Sequence, residues 1–346
     1  MTEQMQRMVL ASRPTGEPKD ENFRLETVNL PEIGEGEVLV RVHYMSLDPY
    51  MRGRMDDAKS YSAAVQIGET MGGGAVGEVI ASNHKDFAPG DFALGMFGWA
   101  THGVAKGHEI QKLNPELAPI TTALGVMGMP GFTGWYGLTE LGKPQEGETL
   151  VVGAATGPVG SMVGQIAKSM GLRVVGIAGG VEKCAKATET YGFDACIDHK
   201  AFETASDLRK AVAAECPQGL DIYFENVGGK LLDAVLPLMN VGGRIPLCGM
   251  IAWYNAGGLG ADAAMESLTG PRLWRTILVN QLLVNGFIIS NHYDRYGDFL
   301  RDVGPKLAAG EIAYGEDIAE GLENAPAAFR SLLRGGNKGK QLVKLI

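Results

Sequence analysis

The sequence predicts an α/β protein, with a doubly wound parallel sheet and a second, β-rich domain. Three observations carry that prediction. From Thr149 to Lys183 the chain reads strand, glycine turn, helix, strand. Beyond it, apolar strand-like runs alternate with helical patterns. The residues before it are rich in short strands punctuated by glycine and poor in helical periodicity.

Residues 1–122 supply the β-rich part. Val38–Val42 follows the turn Gly34-Glu35-Gly36, and Ala75–Ile80 is a second strand. The turn Phe87–Asp91 leads into Phe92–Phe97, followed by Val104-Ala105 and Ile110–Leu113. Short strands of this kind suggest a barrel-like antiparallel domain.

The character changes near residue 123. A helical stretch, Gly125–Leu141, leads through Lys143-Pro144 into Leu150-Val151-Val152, a β-branched run that breaks at Gly153. Val159, Met162, Val163, Ile166, Ala167 and Met170 then recur at helical spacing, and Gly171 stops the helix before the strand Val174–Ala178. Alternation continues with a helix near 182–191, strand Ala195–Ile197, helix 203–215 and strand Leu220–Glu225. Next come a helix near 230–239, strand Arg244–Cys248, a long loop with a helix to about 282, and strand Val284–Ile289. About six strands alternating with helices make a doubly wound, Rossmann-type sheet. The tail is helical near 293–309 and 325–333, and its last strand, Gln341–Leu345, can rejoin the β-rich part. The expected division is therefore 1–122 with 310–346, and 123–309.

The turn Gly153–Gly160 is the main functional candidate. Gly157 allows close backbone approach to a pyrophosphate, Gly160 allows close helix–strand packing, and Pro158 suits a first helical turn. With Ala154, Thr156 and Val159, they place the positive end of a helix against a diphosphate. Ala154 stands where the usual fingerprint has its first glycine, and the plain alternative is a packing turn without ligand. The second strand ends Ala178-Gly179-Gly180-Val181-Glu182-Lys183, with no carboxylate at its tip to hold an adenosine ribose. Small residues such as Gly180 leave room for a 2′-phosphate, and Lys183 supplies a point cation, so NADPH is expected over NADH.

The chain has 346 residues, 45% of them hydrophobic and 21% charged, with mean hydropathy near zero, a composition of globular proteins with a substantial core. A net charge of −9 argues against nucleic acid or an anionic membrane as partner. No signal-peptide pattern opens the chain, and no apolar run reaches membrane-span length. Cys184, Cys196, Cys216 and Cys248 fit neither a disulfide framework nor a metal site, which points to a reducing, cytoplasmic setting. Cys196 and Cys248 are expected as small core residues.

Several strings have a further bearing: Ser46–Met55 (SLDPYMRGRM), Gly128–Thr133 (GMPGFT), the turn AATGPVG, Glu225–Gly229 (ENVGG), Trp253-Tyr254-Asn255 and Gly336–Lys340 (GNKGK). In this order they resemble the zinc-free alkenal and prostaglandin reductase branch of the medium-chain dehydrogenase/reductases. Gly286–Ile289 and Gly321–Pro326 are most similar to its bacterial NADPH-dependent curcumin/alkenal reductases. The resemblance implies a GroES-like barrel for the β-rich domain, a homodimer, and hydride transfer from NADPH to the β-carbon of an α,β-unsaturated ketone or aldehyde. It assigns Tyr254 to the substrate carbonyl oxygen and Tyr50 to the substrate pocket. Met129, Thr133, Asn226, Asn337 and His199 join the turn, Gly180 and Lys183 around the cofactor.

Zinc-dependent relatives carry a GHE near the start of Gly68–Val79, which here reads GETMGGGAVGEV, and Gly107-His108-Glu109 lies elsewhere without cysteine partners. A catalytic zinc needs three protein ligands, so no metal is expected. Two departures stand out. His199 replaces a tyrosine near the 2′-phosphate, and Gly257–Gly260 replaces a proline-rich run in the substrate loop. His102, His108 and His292 are candidate bases by elimination only, and water can protonate the α-carbon. The rival readings are a zinc-free NADPH quinone reductase and a non-catalytic NADPH-binding protein.

Overall fold

The computed structural model describes residues 4–58, 60–256 and 270–346. It divides into two compact units, Met1–Gly128 with Glu316–Ile346, and Met129–Gly315. The junctions expected after 122 and after 309 lie a little ahead of these bounds, the first inside the 3-10 turn Ile120–Leu124.

The first unit begins with a hairpin, β1 (Gln4–Leu10) against β2 (Phe23–Asn29). Its polar alternation carried no strand prediction. Then follow β3 (Glu37–Ser46), β4 (Ala75–Ser82), β5 (Phe92–Gly95), β6 (His102–Lys106) and β7 (Gln111–Leu113). In the second unit, α1 (Met129–Tyr136) widens into a π turn, Gly137–Gly142, so the expected helix starts later and ends irregularly. Its glycines weaken helical preference. The parallel part runs β8 (Thr149–Gly153), α2 (Pro158–Ser169), β9 (Arg173–Ala178), α3 (Val181–Glu189), β10 (Ala195–Asp198), α4 (Ala205–Glu215), β11 (Leu220–Phe224), α5 (Gly229–Val235), β12 (Met239–Leu247), α6 (Gly270–Val279), β13 (Leu283–Gly286) and α7 (Tyr296–Ala308). The chain returns to the first unit with β14 (Glu316–Glu320), α8 (Ala325–Leu333) and β15 (Lys340–Lys344).

Among the described residues the second unit's sheet has the order β10-β9-β8-β11-β12-β13, all parallel. The order reverses about β8, where doubly wound sheets bind ligands at their carboxyl ends. β8 is buried along its whole length, because helices cover both faces of such a sheet. Met162, Val163, Ile166 and Ala167 bury α2, whereas Met170, expected on the same stripe, lies at the helix end with 39% exposure. β13 is also shorter than expected: Phe287–Ile289 leave the strand, and all four of its residues are exposed at the sheet edge. Cys196 and Cys248 are only partly buried; Cys216 is the cysteine that lies in the core.

In the first unit β3 is the hub, paired with β4, β6 and the returning β15. Val38, Val40, Val42 and Met45 pack inward with Leu47, Met51 and Met55, and Trp99 stacks on Phe23 and meets Phe329 edge-on. One ion pair stitches β15 to the turn Pro49–Met55. Lys340 Nζ, buried, donates to Leu47 O (2.8 Å) and Asp48 Oδ1 (2.7 Å), the Ser46 hydroxyl donates to Asp48 Oδ2, and Leu47 N–H donates to Gln341 O (3.1 Å). Burial pulls the Lys340 ammonium below the ordinary lysine range, against the stabilising charge of Asp48.

Removing one member of a buried pair leaves the other charge uncompensated. Lys340→Ala should therefore cost about 3–5 kcal/mol in urea unfolding. A loss below about 1 kcal/mol would show that Asp48 finds water instead.

Candidate active site at the carboxyl ends of the parallel strands

Four loops of the second unit leave the carboxyl ends of β8, β9, β11 and β12, and the backbone explains the shape of each. In the turn between β8 and α2, Ala154 adopts φ +51°, the left-handed conformation that glycine takes without cost. The degenerate position of the fingerprint is thus filled by an alanine in a glycine's conformation. A Cβ on Gly160 would stand 2.4 Å from Ala154 O, so only glycine allows this helix start to sit on its turn. Gly157 is the N-cap of α2 and provides no side chain to cap it, with Pro158 following and Val159 and Gly160 opening the helix. Such an end presents backbone N–H groups and a positive dipole. Thr156 is buried in the turn and Ala154 is exposed.

The next loop joins β9 to α3. Gly180, at φ +103°, has open space where a Cβ would be, and its N–H donates to Asp198 Oδ1 at 2.7 Å. Lys200 N–H donates to the same oxygen at 2.9 Å. Asp198, at the end of β10, was absent from the sequence candidates. Two backbone donors occupy its oxygen and hold the carboxyl below its ordinary range despite partial burial. His199 comes next, and a Cβ on Gly179 would stand 3.0 Å from its Nε2. Its pKa is lowered first by burial, then by Lys230, with Lys200 and Lys183 adding to it. Lys230 Nζ is anchored on His199 O (3.0 Å) and Phe202 O (2.7 Å). The structure therefore gathers Lys183, Lys200, Lys230 and His199 near Gly179-Gly180. Only the first lysine and the histidine were legible as candidates.

The third loop follows β11. Asn226 Nδ2 donates to Gly153 O at 3.0 Å, tying this loop to the dinucleotide turn. Before it, Glu225 is 1% exposed and its Oε1 accepts from Val227 N–H (2.6 Å) and Gly228 N–H (2.9 Å). Burial pushes its carboxyl up to about 7, against those two hydrogen bonds. The fourth loop, after β12, carries the 3-10 turn Ile251–Ala256. Tyr254 is half-buried on it, with its hydroxyl oxygen 3.5 Å from Met250 N and 3.0 Å from where a Cβ on Gly249 would be. The substrate-loop run Gly257–Gly260 lies outside the described residues.

The remaining candidates are less uniform. Met129 and Thr133 are on α1, where Thr133 Oγ1 donates to Met129 O at 2.7 Å, so its proton serves the helix backbone. Tyr50 and Asn337 belong to the first unit. Tyr50 is half-buried in the turn Pro49–Met55 against that unit's core, and Asn337 Nδ2 donates to Gly339 O at 2.6 Å. Of the histidines, His292 Nδ1 pairs with the Tyr136 hydroxyl at 3.0 Å, with the two rings stacked. Among the described residues no cluster of three or more His, Cys, Asp or Glu is placed to hold a metal ion.

Comparison with known proteins agrees with this geometry. Residues 6–113 match the family described as an N-terminal domain of oxidoreductase, and residues 158–301 match the zinc-binding dehydrogenase family. The two matches define an oxidoreductase of the zinc-binding dehydrogenase class. An NADPH-dependent curcumin reductase of Escherichia coli (strain K12) is 51% identical over 342 residues, covering 98% of this chain and 96% of that protein. A 2-alkenal reductase (NADP(+)-dependent) of Nicotiana tabacum is 38% identical, covering 97% and 96%. The crystal structure of CurA in complex with NADPH from Vibrio vulnificus superposes with a TM-score of 0.91, at 51% identity and 99% coverage of both chains. The chain belongs to the medium-chain dehydrogenase/reductase family, in the branch that holds these curcumin and alkenal reductases.

The donor set suits a 2′-phosphorylated dinucleotide. The start of α2 has no side-chain cap, Asp198 Oδ1 is engaged by two backbone N–H groups, and Lys230, Lys200 and Lys183 lie near His199. Lys183→Ala should raise the dissociation constant for NADPH about tenfold, as expected for one partly exposed phosphate contact, and leave that for NADH nearly unchanged. Equal effects in fluorescence titrations of both nucleotides would remove Lys183 from the 2′-phosphate site.

Proposed function

We infer that this protein is an NADPH-dependent oxidoreductase of conjugated carbon–carbon double bonds, reducing α,β-unsaturated ketones and aldehydes. The observation that carries this reading is a tyrosine-bearing turn after β12 and an uncapped helix start after β8, at the same end of one parallel sheet and linked through Asn226. Relatives named for NADPH-dependent curcumin reduction and 2-alkenal reduction support it over nearly the whole chain.

When bound, NADPH supplies a hydride to the β-carbon. The chain's own task is to orient the enone and hold the charge that grows on its carbonyl oxygen. Tyr254 donates its phenol proton in a hydrogen bond to that oxygen, so the bond strengthens as the enolate forms. Water then delivers the α-proton, and no side-chain acid is required. Asn226 and Asn337 orient the nicotinamide end, with Met129 and Thr133 bordering it. The turn Ala154–Val159 holds the diphosphate, and Gly180, Lys183 and His199 hold the adenosine phosphate. Tyr50 lines the substrate pocket. In this reading 123–309 binds the dinucleotide, while 1–122 with 310–346 contributes substrate contacts.

The protein acts as a homodimer in this reading, in the cytoplasm. β13 is an exposed edge strand, and Trp274 (69% exposed), Leu278 (77%), Val279 and Val284 place apolar surface on or beside it. An open edge of that kind invites pairing with a second strand. All four cysteines are free thiols, as a reducing compartment keeps them. Among the described residues no helix is long and apolar enough to cross a membrane.

Tyr254→Phe tests the mechanism. Loss of an oxyanion donor can cost about 3 kcal/mol, roughly a hundredfold in turnover. A water or a ribose hydroxyl partly replaces it, so turnover with a small enone should fall about tenfold to fiftyfold while the NADPH dissociation constant stays put. Unchanged turnover would mean that Tyr254 is loop packing.

A further inference from the structure

The chemistry assigned to Tyr254 and Asn226 leaves the residue before Asn226 without a role. Glu225 is a carboxylate 1% exposed to solvent, at the end of β11, in a position where an apolar residue would be easier to bury. Its backbone and its side chain are both committed to one loop crossing. Glu225 O accepts from Cys248 N–H (2.9 Å) and Gly249 N–H (3.1 Å), which sets the end of β12. Its Oε1 accepts from Val227 N–H and Gly228 N–H, which bends the chain back immediately after Asn226.

The bent segment in turn carries the tyrosine turn. Ile251 N–H donates to Asn226 O (3.3 Å) and Ala252 N–H to Val227 O (2.9 Å). Gly228 is at φ +75°, and a Cβ there would stand 2.8 Å from the Trp253 ring, so the indole of the residue before Tyr254 rests on the glycine that Glu225 holds. On its other side Asn226 reaches Gly153 O. No other described side chain accepts from these two N–H groups. The Tyr223 hydroxyl on β11 and the Cys248 thiol after β12 lie beside the carboxylate; burial first, and then the charge of Glu225, raise the pKa of both.

We propose that Glu225 is the positioning residue of this active site: through Oε1 it fixes the Val227-Gly228 bend, and so sets Asn226 toward the cofactor and Tyr254 toward the substrate carbonyl. In this proposal Glu225, 1% exposed, acts through these two residues and not by contact with the reactants. The proposal rests on the roles given above to Asn226 and Tyr254.

Glu225→Gln is the test, because the amide keeps the shape and one acceptor oxygen but removes the charge that shortens both bonds. At pH 8, where the carboxyl is largely ionised, turnover with a small enone should fall about fivefold or more, with the NADPH dissociation constant, read by direct titration, raised about threefold or less. In a Tyr254→Phe background the same substitution should change turnover less than about twofold, since there is no phenol left to misplace. Trp253→Leu, which unseats the tyrosine turn without entering the buried site, should show the same dependence on Tyr254 and serves if Glu225→Gln does not fold. Losses that multiply fully in the double variants, or a lower melting temperature with unchanged turnover, would overturn the positioning role and make Glu225 a stabilising residue only. A wild type that binds no NADPH, or a Tyr254→Phe variant with unchanged turnover, would instead overturn the underlying reading and this one with it.

Discussion

Glu225 accepts two backbone N–H groups, at 2.6 and 2.9 Å, in a place that water barely reaches, and the geometry of the sheet's carboxyl end depends on that arrangement. A strand that ends in a parallel sheet must release its last backbone groups to a loop, and buried N–H groups need partners. Here a side chain provides them at the exit of β11, next to the reversal in strand order. The bend that results passes Asn226 beside Gly153 and lays Trp253 on Gly228. One carboxylate thus lies at the start of a chain of contacts that links the loops after β8, β11 and β12.

The same economy governs the adenosine end. Asp198 looks, by residue type, like the acid that selects an unphosphorylated ribose. Its Oδ1 is instead taken by Gly180 and Lys200 N–H groups, and it works as a brace for the glycine loop. Its charge still opposes the cations Lys230, Lys200 and Lys183 around His199. Burial first, and then these cations, lower the pKa of His199.

How much of this was legible in the sequence follows from the range of each signal. The βαβ unit, the alternation beyond it and the glycine turn are local patterns of apolar spacing and turn chemistry, and they appeared where the spacing placed them. Features set by tertiary pairing were not legible. The β1–β2 hairpin has a polar alternation that only pairing makes a strand, and Phe287–Ile289, though apolar and β-branched, leave the sheet after Gly286. Met170 fitted the helical stripe but fell on the helix end. Among site residues, glycines and the lone Lys183 were visible because their chemistry is local. Glu225, Asp198, Lys200, Lys230 and the Asp48–Lys340 pair were not, since an acid or a lysine in a sequence carries no sign of whether its partner is water or a distant backbone group. Ala154 shows the converse: a mismatch in the fingerprint that the backbone absorbs by placing alanine at a glycine's φ.

The central claim is that this site delivers hydride to carbon conjugated with a carbonyl, and leaves the carbonyl itself intact. The most direct measurement is to reduce a simple enone with NADPH bearing deuterium at the transferable position of nicotinamide C4, and to locate the label in the product by NMR. The account predicts a saturated ketone with deuterium on the β-carbon and a solvent proton on the α-carbon. An allylic alcohol with deuterium on the carbinol carbon would contradict it.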